Sequence, residues 1–343
     1  MKKSIFILLL ITATFACKQA SKKVIPKWTS YDESEEIAKN INHESMKMRF
    51  KLIQSQALNK NEMWKNVSNQ IKDFSEEEYQ KLKPFILEQD IPNVQTHIES
   101  GELTYEALTQ WFLYRIVKYE NDKDKLLNAV IAINPNAVDE ARERDNNKTA
   151  KAHPIYGMPI LVKDNINAKS MPTTAGSYLL RNNRAPDAFV IERIKEKGGI
   201  ILGKTNLSEW ANFLFVGGPN GFSAVGGQTL NPYGRKILDT GGSSSGSGAA
   251  MAANFAVATI GTETSGSILS PSGQNSLVGL KPTVGLLSRT RAIPLASTLD
   301  TPGPMTRNVI DNAILLSAMS GKDSTDNAST DIPENREYLK ELE

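Results

Sequence analysis

The chain of 343 residues has length for about two ordinary domains, or for one large α/β domain with an appendage. Its 40 Lys and Arg against 38 Asp and Glu leave a net charge of +2, too little to imply a nucleic-acid partner without a localised basic stripe, and no such stripe is present. One cysteine in the whole chain excludes an internal disulfide and any cysteine-based metal site within it.

The first residues, MKKSIFILLLITATFAC, place two lysines before an apolar run from Ile5 to Ala16 that ends at Cys17. The run is short for a bilayer span, and its flanks are those of a secretory signal. A cysteine directly after such a run resembles a bacterial lipoprotein signal, in which that residue becomes the lipidated N-terminus, although Thr14 stands where leucine is usual. Residues 1–17 are thus expected to be a signal and Cys17 a lipid anchor. That makes the protein an exported one held to the membrane, facing the periplasm or cell surface; a plain cleaved signal peptide is the alternative. Residues 18–29 read as a polar, Lys-rich tether.

Residues 30–90 carry a helical pattern, with Ile37 and Ile41 at i, i+4 and Met63, Trp64 and Val67 on one stripe. Ser75 followed by Glu78 reads as a capping box for a helix that Pro84 should bend or break. This helical extension holds no evident chemistry, and His43 is expected at the surface. Thr104 can cap an amphipathic helix through Leu108, Trp111, Phe112, Arg115 and Ile116. Leu126 to Ile133 reads as a buried strand, with Asn134 and Pro135 opening a helix to about Asp145.

From there helix and strand alternate. Tyr156–Val162 and Gly199–Leu202 read as strands; Ala188–Lys197, Leu207–Phe213 and Asn308–Met319 read as helices. The alternation predicts a layered α/β core.

Thr240 to Ser272 is the stretch around which the chain is organised. Two Ser/Gly-rich turns, Gly242–Gly248 and Gly261–Ser267, flank an apolar segment, Ala249–Ile260, long enough for a short buried helix and a strand. Small residues let two backbones approach and leave N–H groups free to face a ligand, which is how an oxyanion hole is built. A flexible linker would not contain an apolar run that needs a core.

Three patterns compete for the chemistry. Gly198–Thr205, GGIILGKT, satisfies the phosphate-loop spacing, but its interior is an apolar strand and a helix precedes it where a strand is required. Gly242–Gly246, GSSSG, fits a nucleophile elbow centred on Ser244. That arrangement needs a histidine downstream, whereas His43, His97 and His153 all lie upstream. A lysine base needs no histidine, and Lys163, directly after Ile160-Leu161-Val162, is the lysine best placed to be buried at a strand end.

GMPILVKDNI from Gly157, GGSSSGSGAAMAAN from Gly241 and GTETSGSILSPS from Gly261 together resemble the amidase signature family of serine hydrolases. The resemblance extends from about Ile91 to Gly321 and includes LGKTNLSEWAN at Leu202, GGQTLNPY at Gly226, VGLKPTVGLLSR at Val278 and DTPGPMTR at Asp300. The wording is most similar to that of bacterial peptide amidases.

The resemblance implies an amidase signature fold, a central mixed twisted sheet covered by helices on both faces, over residues 91–343, with residues 30–90 as an N-terminal helical extension. It implies a Ser-cisSer-Lys triad in which Ser267 is the nucleophile, Ser243 the bridging serine on a cis peptide and Lys163 the base. Backbone N–H groups of Thr264, Ser265, Gly266 and Ser267 form the implied oxyanion hole. The implied reaction hydrolyses a small amide or a peptide C-terminal amide through an acyl-enzyme, with no metal or organic cofactor. Lys163 must then be buried, because a free lysine titrates near pH ~10.4 and desolvation is what brings it toward neutrality.

Two departures from the family pattern touch the loop: Ser265 stands where Asp or Gly is usual, and Leu269 where many members carry Arg. Glu263, Ser244, Ser245, Ser247 and Asp300 are expected to hold the loops rather than react. Family chains continue well beyond Met319, whereas this one ends at Glu343 after a polar stretch. The expectation is a C-terminally truncated domain with an open sheet edge and poor solubility. Two alternatives follow: a silent fragment that only binds ligand, and an amidotransferase component of the A type that works on charged tRNA, which an export signal opposes.

Overall fold

The computed structural model describes residues 25–147, 153–214, 217–331 and 336–342. The signal-like segment, Cys17 and the first part of the tether lie outside the described residues. Five helices come first: α1 (Ser34–Asn40), α2 (Lys60–Ser68), α3 (Glu76–Ile86), α4 (Ile91–Glu99) and α5 (Tyr105–Glu120). Local side-chain caps start α2 to α5. The Ser75 hydroxyl accepts from the Glu78 N–H at 3.0 Å, Asp90 from the Asn93 N–H at 2.8 Å and Thr104 from the Ala107 N–H at 3.0 Å, each satisfying a donor that a helix leaves orphaned.

Pro84 does not break α3 but sits inside it, because the bond it forfeits falls in the last turn, two residues before the helix ends. Met63, Trp64 and Val67 are buried as their stripe predicts, while Ile41 projects into solvent, 60% exposed. Helix α5 is buried nearly all round rather than amphipathic: Leu108, Trp111, Phe112, Leu113 and Ile116 are all inside. Tyr79 of α3 and Phe74 pack on Tyr114 with ring centroids 5.2 and 5.5 Å apart, closing the side that the pattern leaves to solvent.

The rest alternates as β1 (Val130–Ile133), α6 (Ala137–Asn146), β2 (Pro159–Lys163), α7 (Phe189–Glu196), β3 (Ile200–Thr205), the short pair β4 (Phe222–Ser223) and β5 (Gly227–Gln228), α8 (Ser245–Ala252), β6 (Ala258–Glu263), α9 (Leu269–Gln274), β7 (Val278–Gly279), β8 (Thr301–Thr306) and α10 (Val309–Met319). Six strands form one sheet in the order β1-β3-β2-β6-β8-β7. Its centre is parallel, β3 and β6 flanking β2, and its margins are antiparallel. Every residue of β2, β3, β6 and β8 is buried. Successive side chains of a strand point to opposite faces, so both faces of the central sheet are covered. The fold is the mixed α/β architecture expected.

Leu207–Phe213 is not the helix that its pattern suggests. A short 3₁₀ turn, Glu209–Asn212, contains Trp210 and Ala211 in left-handed conformation, with φ of 51° and 54°. The Trp210 N–H donates to the Ala175 carbonyl at 2.8 Å, so a contact between distant loops overrides local propensity.

Helix α8 shows why its stretch is built from glycine and serine. A Cβ on Gly246 would lie 2.4 Å from the Asn206 carbonyl oxygen and 2.7 Å from that of Ala129, so only glycine lets the first turn of α8 reach the backbone at the end of the sheet. Ser247 fastens the helix by donating to the Ile260 carbonyl at 3.0 Å and bonding the Thr205 hydroxyl at 2.8 Å.

Candidate active site

Parallel strands bring their carboxyl ends to one side of a sheet, where ligands commonly bind. Here β2 and β6 are neighbours in parallel register, Val162 opposite Ile260. Lys163 at the end of β2 is therefore set beside Thr262 and Glu263 at the end of β6. The segment entering α8 reaches the same point: the Ser208 N–H donates to the Ser243 carbonyl at 3.0 Å and the Ser244 N–H to the Ser267 carbonyl at 3.1 Å. Three segments more than 20 residues apart thus meet around one cavity.

Lys163 is fully buried. Its Nζ lies 2.8 Å from Ser243 Oγ, 2.9 Å from Thr262 Oγ1 and 3.2 Å from the Thr262 carbonyl oxygen. Burial pulls its pKa down to about 7, against the opposing pull of Glu263 and Asp300. A lysine near neutrality, hydrogen-bonded to a serine, is a competent general base. The peptide bond between Gly242 and Ser243 is cis.

Ser267 lines the same cavity as Ser243, Asn165, Thr262, Thr264 and Asp300, a space of about 320 Å³. Its hydroxyl makes no hydrogen bond to any described residue, and none joins it to Ser243. An unengaged hydroxyl facing an open cavity is free to meet a substrate.

The loop carrying Ser267 is held by one carboxylate. Glu263 accepts from the N–H groups of Gly266 at 2.8 Å, Ile268 at 2.7 Å and Leu269 at 2.9 Å. Of the four N–H groups that the family resemblance implies for an oxyanion hole, that of Gly266 is therefore engaged by Glu263. Those of Thr264, Ser265 and Ser267 have no partner among the described residues.

The other loop serines are structural. Ser244 Oγ donates to the Thr262 carbonyl at 3.1 Å and accepts from the Thr262 N–H, and Ser245 Oγ donates to the Gly241 carbonyl at 2.6 Å. Lys204, in the phosphate-loop pattern, is fully buried in an ion pair with Asp164 at 2.9 Å. No histidine lines the cavity. Among the described residues no cluster of three His, Cys, Asp or Glu side chains has metal-binding geometry.

Two participants were not singled out in the sequence. Thr262 gives Lys163 two acceptors, and Asn165 supports Thr262 by donating from Nδ2 to its hydroxyl at 2.9 Å. Asn165 sits two residues after Lys163 in VKDN, a signal visible in the sequence; Thr262 needed the register of β2 against β6.

Comparison with known proteins bears on the family and the fold. The amidase family model matches residues 107–343. An amidase family protein from Bacillus anthracis has a solved structure 42% identical to this chain, with a TM-score of 0.80 over 84% of this chain and 58% of that one. The peptide amidase of Stenotrophomonas maltophilia is 46% identical, with a TM-score of 0.72 over 75% of this chain and 53% of its own. A glutamyl-tRNA(Gln) amidotransferase component of Exiguobacterium sibiricum is 40% identical over 248 residues, 72% of this chain and 50% of that protein. The chain spans about half the length of the curated relatives it matches, from 37% to 50%.

Proposed function

This chain belongs to the amidase family, and from that premise we propose that it hydrolyses carboxylic amides by a Ser267, Ser243 and Lys163 triad. The observation that carries the reading is the fully buried Lys163, with a pKa near about 7, 2.8 Å from Ser243 Oγ beside the cavity that Ser267 lines. In this mechanism Ser267 Oγ bonds to the amide carbonyl carbon while its proton passes through Ser243 to Lys163. The unengaged N–H groups of Thr264, Ser265 and Ser267 receive the developing oxyanion; one such donor is typically worth about 3–4 kcal/mol of barrier. The C–N bond then breaks, and the proton on Lys163 returns through Ser243 to the departing amine. Water repeats the sequence on the acyl-enzyme, releasing the carboxylate and restoring Ser267.

Peptide C-terminal amides are the first substrate class, supported by the likeness to a peptide amidase. Likeness to an amidotransferase component supports a second reading, transfer of ammonia within a larger assembly. The test is ammonia release from amidated dipeptides, aliphatic amides, aromatic amides and glutamine, with Ser267→Ala and Lys163→Ala beside the wild type. Release by the wild type alone upholds the triad and ranks the substrates. Release from glutamine only favours the amidotransferase reading. No release by folded protein supports a chain that binds ligand without turning it over, and release surviving Ser267→Ala removes Ser267 as nucleophile.

We also propose export and lipid attachment at Cys17, on the strength of the apolar run before it. Mass spectrometry of the N-terminal peptide from a bacterial membrane fraction tests this; an unmodified Met1 or a free Cys17 thiol overturns the anchor.

A further inference from the structure

Asp300 stands between the two walls of the cavity. One carboxylate oxygen accepts from the Thr264 hydroxyl, at the base of the loop that carries Ser267. The other accepts from the N–H groups of Leu295 at 2.7 Å and Ala296 at 2.8 Å, on the opposite wall. That wall is pinned from behind: Arg289 donates to the Ser297 carbonyl and pairs through two of its nitrogens with Asp326. Thr264, Leu295, Ser297, Arg289, Asp300 and Asp326 all line the cavity.

We propose that Asp300 is a positioning residue of this site, a single carboxylate that clamps the oxyanion-side loop at Thr264 to the substrate wall at Leu295 and Ala296. The inference rests on the amidase reading of the same cavity. It adds a residue whose action reaches the reacting atoms through two others. A carboxylate accepting several hydrogen bonds is held rigidly, so the clamp also fixes the position of Asp300 relative to the base. The charged groups facing Lys163 are Glu263 and Asp300, both favouring its protonated form; Arg289, which also feels Asp300, is neutralised by its pairing with Asp326.

Asn replaces the carboxylate with a group that retains one acceptor oxygen but not the charge or the second acceptor. Thr264→Val removes the clamp on the loop and leaves the charge in place. The two variants therefore separate geometry from electrostatics.

The experiment follows Lys163 directly by NMR of protein carrying ¹³C-labelled lysine, its resonance assigned by its absence in Lys163→Ala, with thermal melts to establish folding. Titrations of wild type, Asp300→Asn and Thr264→Val are compared, and kcat and KM are measured on the best amide. In Asp300→Asn Lys163 is expected to titrate at lower pH than in the wild type, by about half a pH unit or more, as loss of one nearby charge implies. In Thr264→Val the titration is expected to stay in place while kcat falls about tenfold or more with KM little changed, the pattern of a contact that matters in the transition state. An unchanged kcat in Thr264→Val when the wild type is active overturns the clamp, and an unmoved Lys163 titration in folded Asp300→Asn overturns the action of the Asp300 charge on the base. No amide turnover by folded wild type fails the amidase reading instead, and the NMR titration still decides whether Asp300 acts on Lys163.

Discussion

Lys163 reaches Thr262 twice, its Nζ 2.9 Å from the hydroxyl and 3.2 Å from the carbonyl oxygen of the same residue. A neutral amine has two N–H bonds and one lone pair. Two acceptors on Thr262 occupy the N–H bonds and leave the lone pair for Ser243. Thr262→Val keeps the shape and removes one acceptor. With an ordinary hydrogen bond worth about 0.5–1.5 kcal/mol, kcat/KM is expected to fall roughly 2- to 10-fold, with some loss of melting temperature because Asn165 Nδ2 loses its partner, and Thr262→Ser to recover most of both. Steady-state kinetics with a thermal melt check this.

A base must be unprotonated, so activity should be present above the Lys163 pKa of about 7 and lost as pH falls through it. The pH profile of kcat/KM is expected to drop about tenfold per unit below roughly pH 6. Stability follows the same group. Its folded pKa lies below the ordinary 10.5, so between these values the unfolded chain binds more protons, and the contribution of Lys163 to stability rises with pH across that window. Lys163→Met should flatten this rise, read as urea midpoints of the two proteins from pH 7 to 10.

Glu263 is nearly buried and satisfies three N–H groups of the Ser267 loop. Gln in its place cannot accept equally at both ends. Glu263→Gln is expected to cost about 1–3 kcal/mol of stability and to release the Gly266 N–H. Because Glu263 also favours protonated Lys163, the acid limb of the pH profile should move to lower pH. A limb that stays fixed would show the carboxylate to be structural alone.

Lys204 belongs to a buried pair. Removing one partner leaves an uncompensated charge, an effect of about 3–5 kcal/mol. Lys204→Met is therefore expected to lower stability by that order, and Lys204→Met with Asp164→Asn to recover part of it. Calorimetric titration with ATP should register no binding to the wild type, whereas a phosphate loop would bind it.

The local signals of this chain were readable without coordinates. Ser75, Thr104 and Asn308 announce helix starts because a cap involves only the next three residues, and Asn308 accepts from Asp311 N–H at 2.8 Å as that rule requires. The apolar run before Lys163 implied a buried strand end, and the structure buries Lys163 there. Where distant loops meet, the same reasoning failed. Leu207–Phe213 carries a helical pattern, yet Trp210 turns left-handed to reach Ala175. The stripe of α5 could not show that Tyr79 and Phe74 cover Tyr114 on its outer side.

By itself, then, the sequence determined which residues belong to the family motifs, because motif identity lies in short contiguous stretches. It marked Lys163, Ser243 and Ser267 as candidates and ruled out the phosphate loop and the histidine triad from order alone. Tertiary structure decided what those residues touch. Thr262 beside Lys163 depends on the register of two parallel strands; Glu263 holding Gly266, and Asp300 joining Thr264 to the far wall, depend on how loops close over the sheet. Hydrogen bonds and charges act over a few ångströms of space, and folding sets those distances between residues that lie tens of positions apart in the chain.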